Sequence, residues 1–121
     1  QKLQKGVRQL CEEGTIQLFV DPYIGIQDPI IGVVGELQFD VLLFRLEDEY
    51  GLDVKLMRQP FSVARWPRRD GKATTELNGN FNIYHDLNEE PVILLEQEWD
   101  LNWAQKENPD VEFCTSISAE R

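Results

Sequence analysis

The chain has 121 residues, which suits one domain, and its 41% hydrophobic residues, with twelve aromatics (Phe 6, Tyr 3, Trp 3), supply a packed core and exclude wholesale disorder. The longest apolar clusters, residues 30–34 and 41–44, fall far short of the roughly 20 residues of a bilayer-spanning helix, no secretory signal is read, and Cys11, Cys114 and the single His85 are too few for a disulfide scaffold or a structural zinc site. Twelve basic against 22 acidic side chains leave a net charge of −10, so the chain as a whole is repelled by nucleic acid, and the two cysteines suit reduced thiols in a cytoplasmic protein.

Residues 1–13 carry Leu3, Val7, Leu10 and Cys11 at helical spacing and predict an amphipathic helix closed by Gly14. Gln1 is not an initiator methionine and no capping residue precedes the helix, so the chain is expected to be cut from a longer protein. Residues 15–20 predict a strand, with Ile16, Leu18 and Val20 on one face. Asp21, Pro22, Gly25, Asp28 and Pro29 punctuate a loop or loose hairpin connection, and residues 30–34 suit a short strand buried on both faces.

Residues 35–50 form the most decisive segment. They contain no proline and place Leu37, Val41 and Phe44 in one row, with Phe39, Leu42, Leu43, Leu46 and Tyr50 in a second, the wide stripe of a helix pressed on a sheet. Gly51 ends this helix, and residues 54–66 read as a long strand bent or interrupted near Pro60. Residues 67–80 are weakly patterned: Asn78-Gly79 signals a hairpin, and a short helix over 72–77 competes with it. Residues 81–85 and 92–96 predict two strands joined by the polar stretch 86–91. Asp100 suits the N-cap of a short helix through Lys106 with Leu101 and Ala104 inward, Pro109 stops it, and residues 111–116 alternate as a last strand, with Cys114 half-buried in it.

This order predicts an α+β sandwich with helices on one face of a mainly antiparallel sheet. Residues 1–66 fit a ferredoxin-like β-α-β-β-α-β unit lacking its first strand, and residues 67–121 extend the sheet and add one short helix, all within a single domain.

Several motifs offer chemistry. Gly32, Gly35, Glu36 and Leu37 join a strand to a helix start, where backbone N–H groups can meet a phosphate. No Gly-Lys-Ser/Thr ending follows, the dinucleotide-binding glycine spacing is absent, and Glu36 sits where the anion belongs. A structural role is favoured: Gly35 for a tight turn, Gly32 for close helix–strand packing, Glu36 beside the positive helix end. Glu36 and Asp40 share a helix face, but no nearby group separates their pKa values for acid–base work, so a solvated stripe is expected. Cys11 falls on an apolar stripe, neither cysteine has a base beside it, and His85 is a lone strand-end histidine, so no catalytic residue and no metal ligand is assigned.

Charge is uneven. Residues 1–57 carry 5 basic and 10 acidic side chains and residues 73–121 carry 2 and 11, whereas residues 58–72 hold Arg58, Arg65, Arg68, Arg69 and Lys72 against Asp70 alone, a net of +4. Arg65-Trp66 followed by Arg68-Arg69 is the strongest binding candidate, because arginine grips phosphate bidentately and an indole stacks on a base. The competing reading places Trp66 in the core and the arginines in solvent.

The runs Gly35-Glu36-Leu37-Gln38-Phe39-Asp40-Val41 and Arg45-Leu46-Glu47-Asp48-Glu49-Tyr50 resemble the helix of the third domain of translocase-type translational GTPases, and Lys2-Leu3 through Glu12-Glu13-Gly14 resemble that domain's first helix. Residues 10–19 and 33–41, Ala64-Arg65-Trp66, Ala104-Gln105 and Pro109-Asp110-Val111 are similar to the C-terminal domain of the peptide chain release factor 3 family, over nearly the whole chain; residues 67–90 depart from that pattern. The resemblance implies a C-terminal, non-catalytic domain of a cytoplasmic GTPase that promotes departure of codon-reading release factors from the terminating ribosome. It implies GTP and magnesium in a domain upstream of Gln1, no cofactor here, no membrane partner, and a monomeric fragment. Arg65, Trp66, Arg68 and Arg69 are then the candidates for contact with ribosomal RNA or protein. A ferredoxin-like regulatory domain binding a small molecule near residues 32–37 is the alternative, and a hydrolase using Glu36 and Asp40 ranks last.

Overall fold

A computed structural model describes residues 2–14, 16–23, 25–33 and 35–115. Three helices and seven strands are present among them, and the strand pairs described below are antiparallel, an α+β architecture. The chain divides into two compact units, residues 1–58 and 59–121.

The first unit contains α1 (Lys2–Glu12), β1 (Gln17–Asp21), β2 (Gly25–Gly32) and α2 (Leu37–Tyr50). The apolar spacing of α1 buries Val7 and Leu10. Gly6 lets α1 approach α2, since a Cβ there would lie 3.0 Å from Leu46 and 3.2 Å from the Tyr50 ring. The Tyr50 hydroxyl donates to Gln9 Oε1 across the same contact. Arg45 bridges Glu13 at 2.8 Å and Glu49 at 2.7 Å, and its hydrogen bond holds the Glu13 carboxyl below the ordinary carboxylate range. β1 and β2 form a hairpin with Leu18 opposite Ile31 and Phe19 opposite Ile30, and a bulge between Phe19 and Asp21. The expected loop residues Gly25, Asp28 and Pro29 therefore lie inside β2, and the connection is the shorter turn after Asp21.

Only one of the two apolar rows of α2 is covered. Leu42 and Leu46 are buried, whereas Leu37 is 79% and Phe44 66% exposed, so the expected wide buried stripe is half as wide. Gly51 takes a left-handed conformation (φ 67°) and returns its N–H to Glu47, which ends the helix as its position in the sequence implies. The expected long strand over 54–66 is not formed. Residues 51–62 lie outside any strand, and pairing begins at Val63: Pro60 lacks an N–H, and residues 55–60 are all exposed.

The second unit contains β3 (Val63–Arg69), β4 (Lys72–Ala73), β5 (Asn82–His85), β6 (Pro91–Leu95), α3 (Glu98–Glu107) and β7 (Glu112–Cys114). β3 pairs with β6 through Val63–Arg65 and with β7 through Trp66–Arg68, and β5 pairs with β6. Val63, Ile93, Leu95, Leu101, Ala104, Val111 and Phe113 form its core, flanked by Leu77, Phe81 and Ile83. α3 starts earlier than expected, at Glu98. Gln97 is the N-cap and Asp100 reciprocates from the third position by accepting the Gln97 N–H at 3.1 Å.

The β3–β4 hairpin turns at Asp70-Gly71, both at positive φ (54° and 76°), and the turn expected at Asn78-Gly79 is not formed as a hairpin. Asn78 is engaged elsewhere. Its N–H donates to Oδ1 of the buried Asn108 at 2.6 Å, and Asn108 Nδ2 donates back to the Asn78 carbonyl at 3.2 Å and to Ala104 at 3.0 Å. These bonds satisfy groups at the C-terminal end of α3 and tie the loop to it.

Candidate functional site

Apart from Arg58, which belongs to the first unit, the basic island lies on the β3–β4 hairpin. A tight Asp-Gly turn brings Lys72 back opposite Arg69 and crowds Arg65, Arg68 and Arg69 onto one strand. Each arginine meets a carboxylate that is distant in sequence. Arg68 Nη2 lies 2.8 Å from Glu90, Arg69 Nε lies 2.8 Å from Asp110, and Arg65 Nη2 lies 3.9 Å from Glu98. Arg68 also donates to the Gly71 carbonyl at 3.0 Å, and Arg69 donates to the Glu76 carbonyl at 3.1 Å. Local positive charge is thus largely compensated, and the guanidinium groups brace the hairpin.

Trp66 is 6% exposed and its indole N–H donates to Asp86 Oδ2 at 2.9 Å. Asp86 Oδ1 in turn accepts the N–H groups of Asn88 at 2.8 Å and Glu90 at 3.0 Å, a side-chain-closed turn. One carboxylate therefore fixes both the tryptophan and the loop that presents Glu90 to Arg68. The Arg69 hydrogen bond, with help from its own backbone N–H, holds the Asp110 carboxyl below the ordinary carboxylate range. Asp86, Glu90, Glu98 and Asp110 are the members that a single-sequence reading misses. The only local signal is the Asp86-Leu87-Asn88 turn pattern, because the partners lie 20–41 residues from the groups they meet.

The other singled-out residues have surroundings of their own. Gly32 accommodates a ring: a Cβ there would lie 3.2 Å from Phe19, so the close approach is to β1 and not to a helix. A Cβ at Gly35 would meet nothing within 4 Å, and the Gly35 carbonyl accepts the Gln38 N–H at 3.0 Å in a turn. Glu36 occupies the N-cap position of α2 with its carboxylate on exposed Arg58 at 2.7 Å, Leu37 is exposed, and Asp40 is a solvated neighbour. Cys11 and Cys114 are partly buried, as is His85. Among the described residues no group of three or more His, Cys, Asp or Glu side chains is placed to hold a metal ion, and no helix is long and apolar enough to cross a membrane.

Comparison with known proteins gives a consistent result. The sequence profile described as class II release factor RF3, C-terminal domain, matches residues 1–105. The chain is 39% identical over 114 residues to peptide chain release factor 3 of Acaryochloris marina, covering 93% of this chain and 21% of that protein. It is 38% identical over 117 residues to the protein of that name from Symbiobacterium thermophilum (96% and 22%), and 39% identical over 119 residues to that of Gloeothece citriformis (97% and 22%). The chain thus spans about a fifth of the length of these relatives.

Proposed function

We infer the function from one premise: this chain belongs to the family of class II release factor RF3 C-terminal domains. Its role is that of a non-catalytic, ribosome-docking domain in a larger cytoplasmic GTPase that promotes dissociation of codon-reading release factors after termination. GTP and magnesium bind in another part of that larger protein. The observation that carries this reading is the family match across residues 1–105, together with 36–39% identity to several release factors.

Docking is a matter of electrostatics and rigidity. A molecule of net charge −10 is held off RNA except where cations face outward. The β3–β4 hairpin supplies that face. Lys72 is exposed at its tip, and the Asp110 partner of Arg69 is exposed, so that pair is screened by solvent and can exchange its carboxylate for a phosphate. Arg65 has the longest of the three ion pairs and is likewise open to exchange. Trp66 and Arg68 hold the hairpin in place from beneath. Contact with ribosomal RNA is thereby confined to a few cations on a braced hairpin, which orients the domain without coating RNA indiscriminately.

The test uses the full-length protein that carries this domain. Lys72→Glu with Arg69→Glu is expected to reduce ribosome-stimulated GTP hydrolysis and release-factor eviction several-fold, to make their remaining dependence on salt shallower because fewer phosphate contacts are made, and to leave ribosome-free hydrolysis unchanged. Wild-type turnover and eviction in that variant, with its fold intact by circular dichroism, remove the hairpin as a docking surface. GTP hydrolysis by the isolated chain ends the non-catalytic reading.

A further inference from the structure

The second unit presents a groove that the release-factor reading does not use. It has a volume of about 270 Å³ and runs between α3 and the β5–β6 hairpin, with Trp99 and Trp103 on one side and Phe81 and Leu95 on the other. Trp99 and Trp103 are four residues apart on one helix, so both indoles lie on the same face. Trp99 is 68% and Trp103 41% exposed. Trp103 is held from behind: its ring packs on Phe81 with centroids 6.0 Å apart, and a Cβ at Gly79 would strike it at 2.7 Å. Trp103 is thus a fixed wall, and Trp99 is a large apolar plate left in water.

The rim of the groove is acidic. Glu96 and Asp100 line it, and Glu98 lies between them in sequence at the start of α3. Arg65 approaches Glu98 only to 3.9 Å, and Asp100 uses one oxygen for the Gln97 N–H. No hydrogen bond or ion pair to the Glu96 carboxylate is found among the described residues. The surroundings reinforce this field: residues 73–112 contain ten acidic side chains (Glu76, Asp86, Glu89, Glu90, Glu96, Glu98, Asp100, Glu107, Asp110, Glu112) and one basic, Lys106. A phosphate-bearing partner is repelled here, whereas a cation is drawn in and finds an indole face to stack on.

We propose that this groove binds an arginine-bearing, extended segment of a basic protein, with a guanidinium stacked on Trp99 and paired with Glu96. Arginine fits better than lysine because its planar, weakly hydrated group stacks on an aromatic face and donates to a carboxylate at once. The contact rests on charge complementarity and two indole anchors, the composition of an interface hot spot. It stands whether or not the β3–β4 hairpin meets RNA.

The chain has three tryptophans, and their indole N–H signals report separately. Trp66, buried and bonded to Asp86, is the internal reference. The ¹⁵N-labelled chain is titrated with a synthetic peptide of alternating glycine and arginine, with the same peptide carrying neutral citrulline in place of arginine, and with a short oligouridine. The expected result is a saturable shift of the Trp99 and Trp103 signals with the arginine peptide while Trp66 stays still. Binding weakens about tenfold in Trp99→Ala and with the citrulline peptide, and about threefold in Glu96→Gln. Trp99 is largely solvent-exposed, so its removal leaves the fold intact, and an unmoved Trp66 signal verifies this. The proposal is overturned if the arginine peptide leaves Trp99 and Trp103 unmoved, if the citrulline peptide binds equally well, or if oligouridine shifts the same signals more strongly.

Discussion

The β3–β4 hairpin and the outer face of α3 belong to the same unit and differ in one respect. The hairpin is the most basic stretch of the sequence, yet its three central arginines reach Glu98, Glu90 and Asp110. α3 and its flanks are acidic, and Glu96 and Trp99 face water. Formal charge counted along a chain is therefore a poor measure of charge available to a partner. What matters is whether the fold supplies a counter-ion, and on the hairpin it does so from three different loops and helix ends.

The largest expected effect tests whether the hairpin is structural at its root. Trp66→Ala removes a buried indole and leaves Asp86 without its side-chain donor, and should cost about 3–5 kcal/mol in denaturant unfolding. An effect below about 1 kcal/mol means that Trp66 is not core. Arg68→Ala comes next, at about 1.5–3 kcal/mol, because its pair with Glu90 is the most enclosed of the three. Arg65→Ala, whose carboxylate is 3.9 Å away and exposed, should stay within about 0.5 kcal/mol. If the two arginines prove equal, enclosure does not distinguish bracing from docking residues. On the other side of the comparison, Gly79→Ala places a methyl against the Trp103 ring at a φ of 115° and should cost about 1–3 kcal/mol. It should also shift the Trp103 indole resonance and leave that of Trp66 in place, which separates damage to the groove from damage to the hairpin.

Local features of both regions were legible from sequence, and their long-range features were not. Periodicity placed α1, α2, β1, β5 and β6 within a few residues, because an apolar face repeats inside each segment. The start of α3 was displaced by three residues because Asp100 is a good capping residue in two positions, as N-cap and as the reciprocating third residue, and only the backbone decides between them. Asn78-Gly79 was the expected hairpin turn, with a short helix over 72–77 as its competitor, and Asp70-Gly71 makes the turn instead. Asn78-Gly79 has the stronger dipeptide signal, but Asn108, thirty residues away, binds Asn78 and leaves Asp70-Gly71 to make the turn. The same limit applies to the candidate site. Arg65, Arg68 and Arg69 could be singled out by charge, whereas whether they are compensated depends on partners that no local pattern contains. The two apolar rows of α2 look alike in sequence, and only packing shows that Leu42 and Leu46 are covered while Leu37 and Phe44 are not.

The smallest expected effect is the most specific measure of how far the hairpin's charge is compensated. Asp110 titrates below the ordinary carboxylate range because Arg69 donates to it. A carboxyl with a depressed pKa in the folded state binds its proton less tightly than in the unfolded chain. Stability from this pair is therefore fully present above the unfolded pKa, about 3.9 for an aspartate, and is lost as pH falls through the lower folded value. In Arg69→Gln the Asp110 titration, followed by its carboxyl ¹³C signal, should move back up toward that ordinary value, and the acid limb of the unfolding curve should shift slightly to higher pH. The Glu13 titration, held down by Arg45 in the other unit, should not move and serves as the control. Because Asp110 is exposed, the stability change is small, yet the direction of the titration shift is decisive. An Asp110 curve unchanged in Arg69→Gln means that the pair is not held in solution, in which case Arg69 is already free to meet a phosphate and the contrast between the hairpin and α3 narrows accordingly.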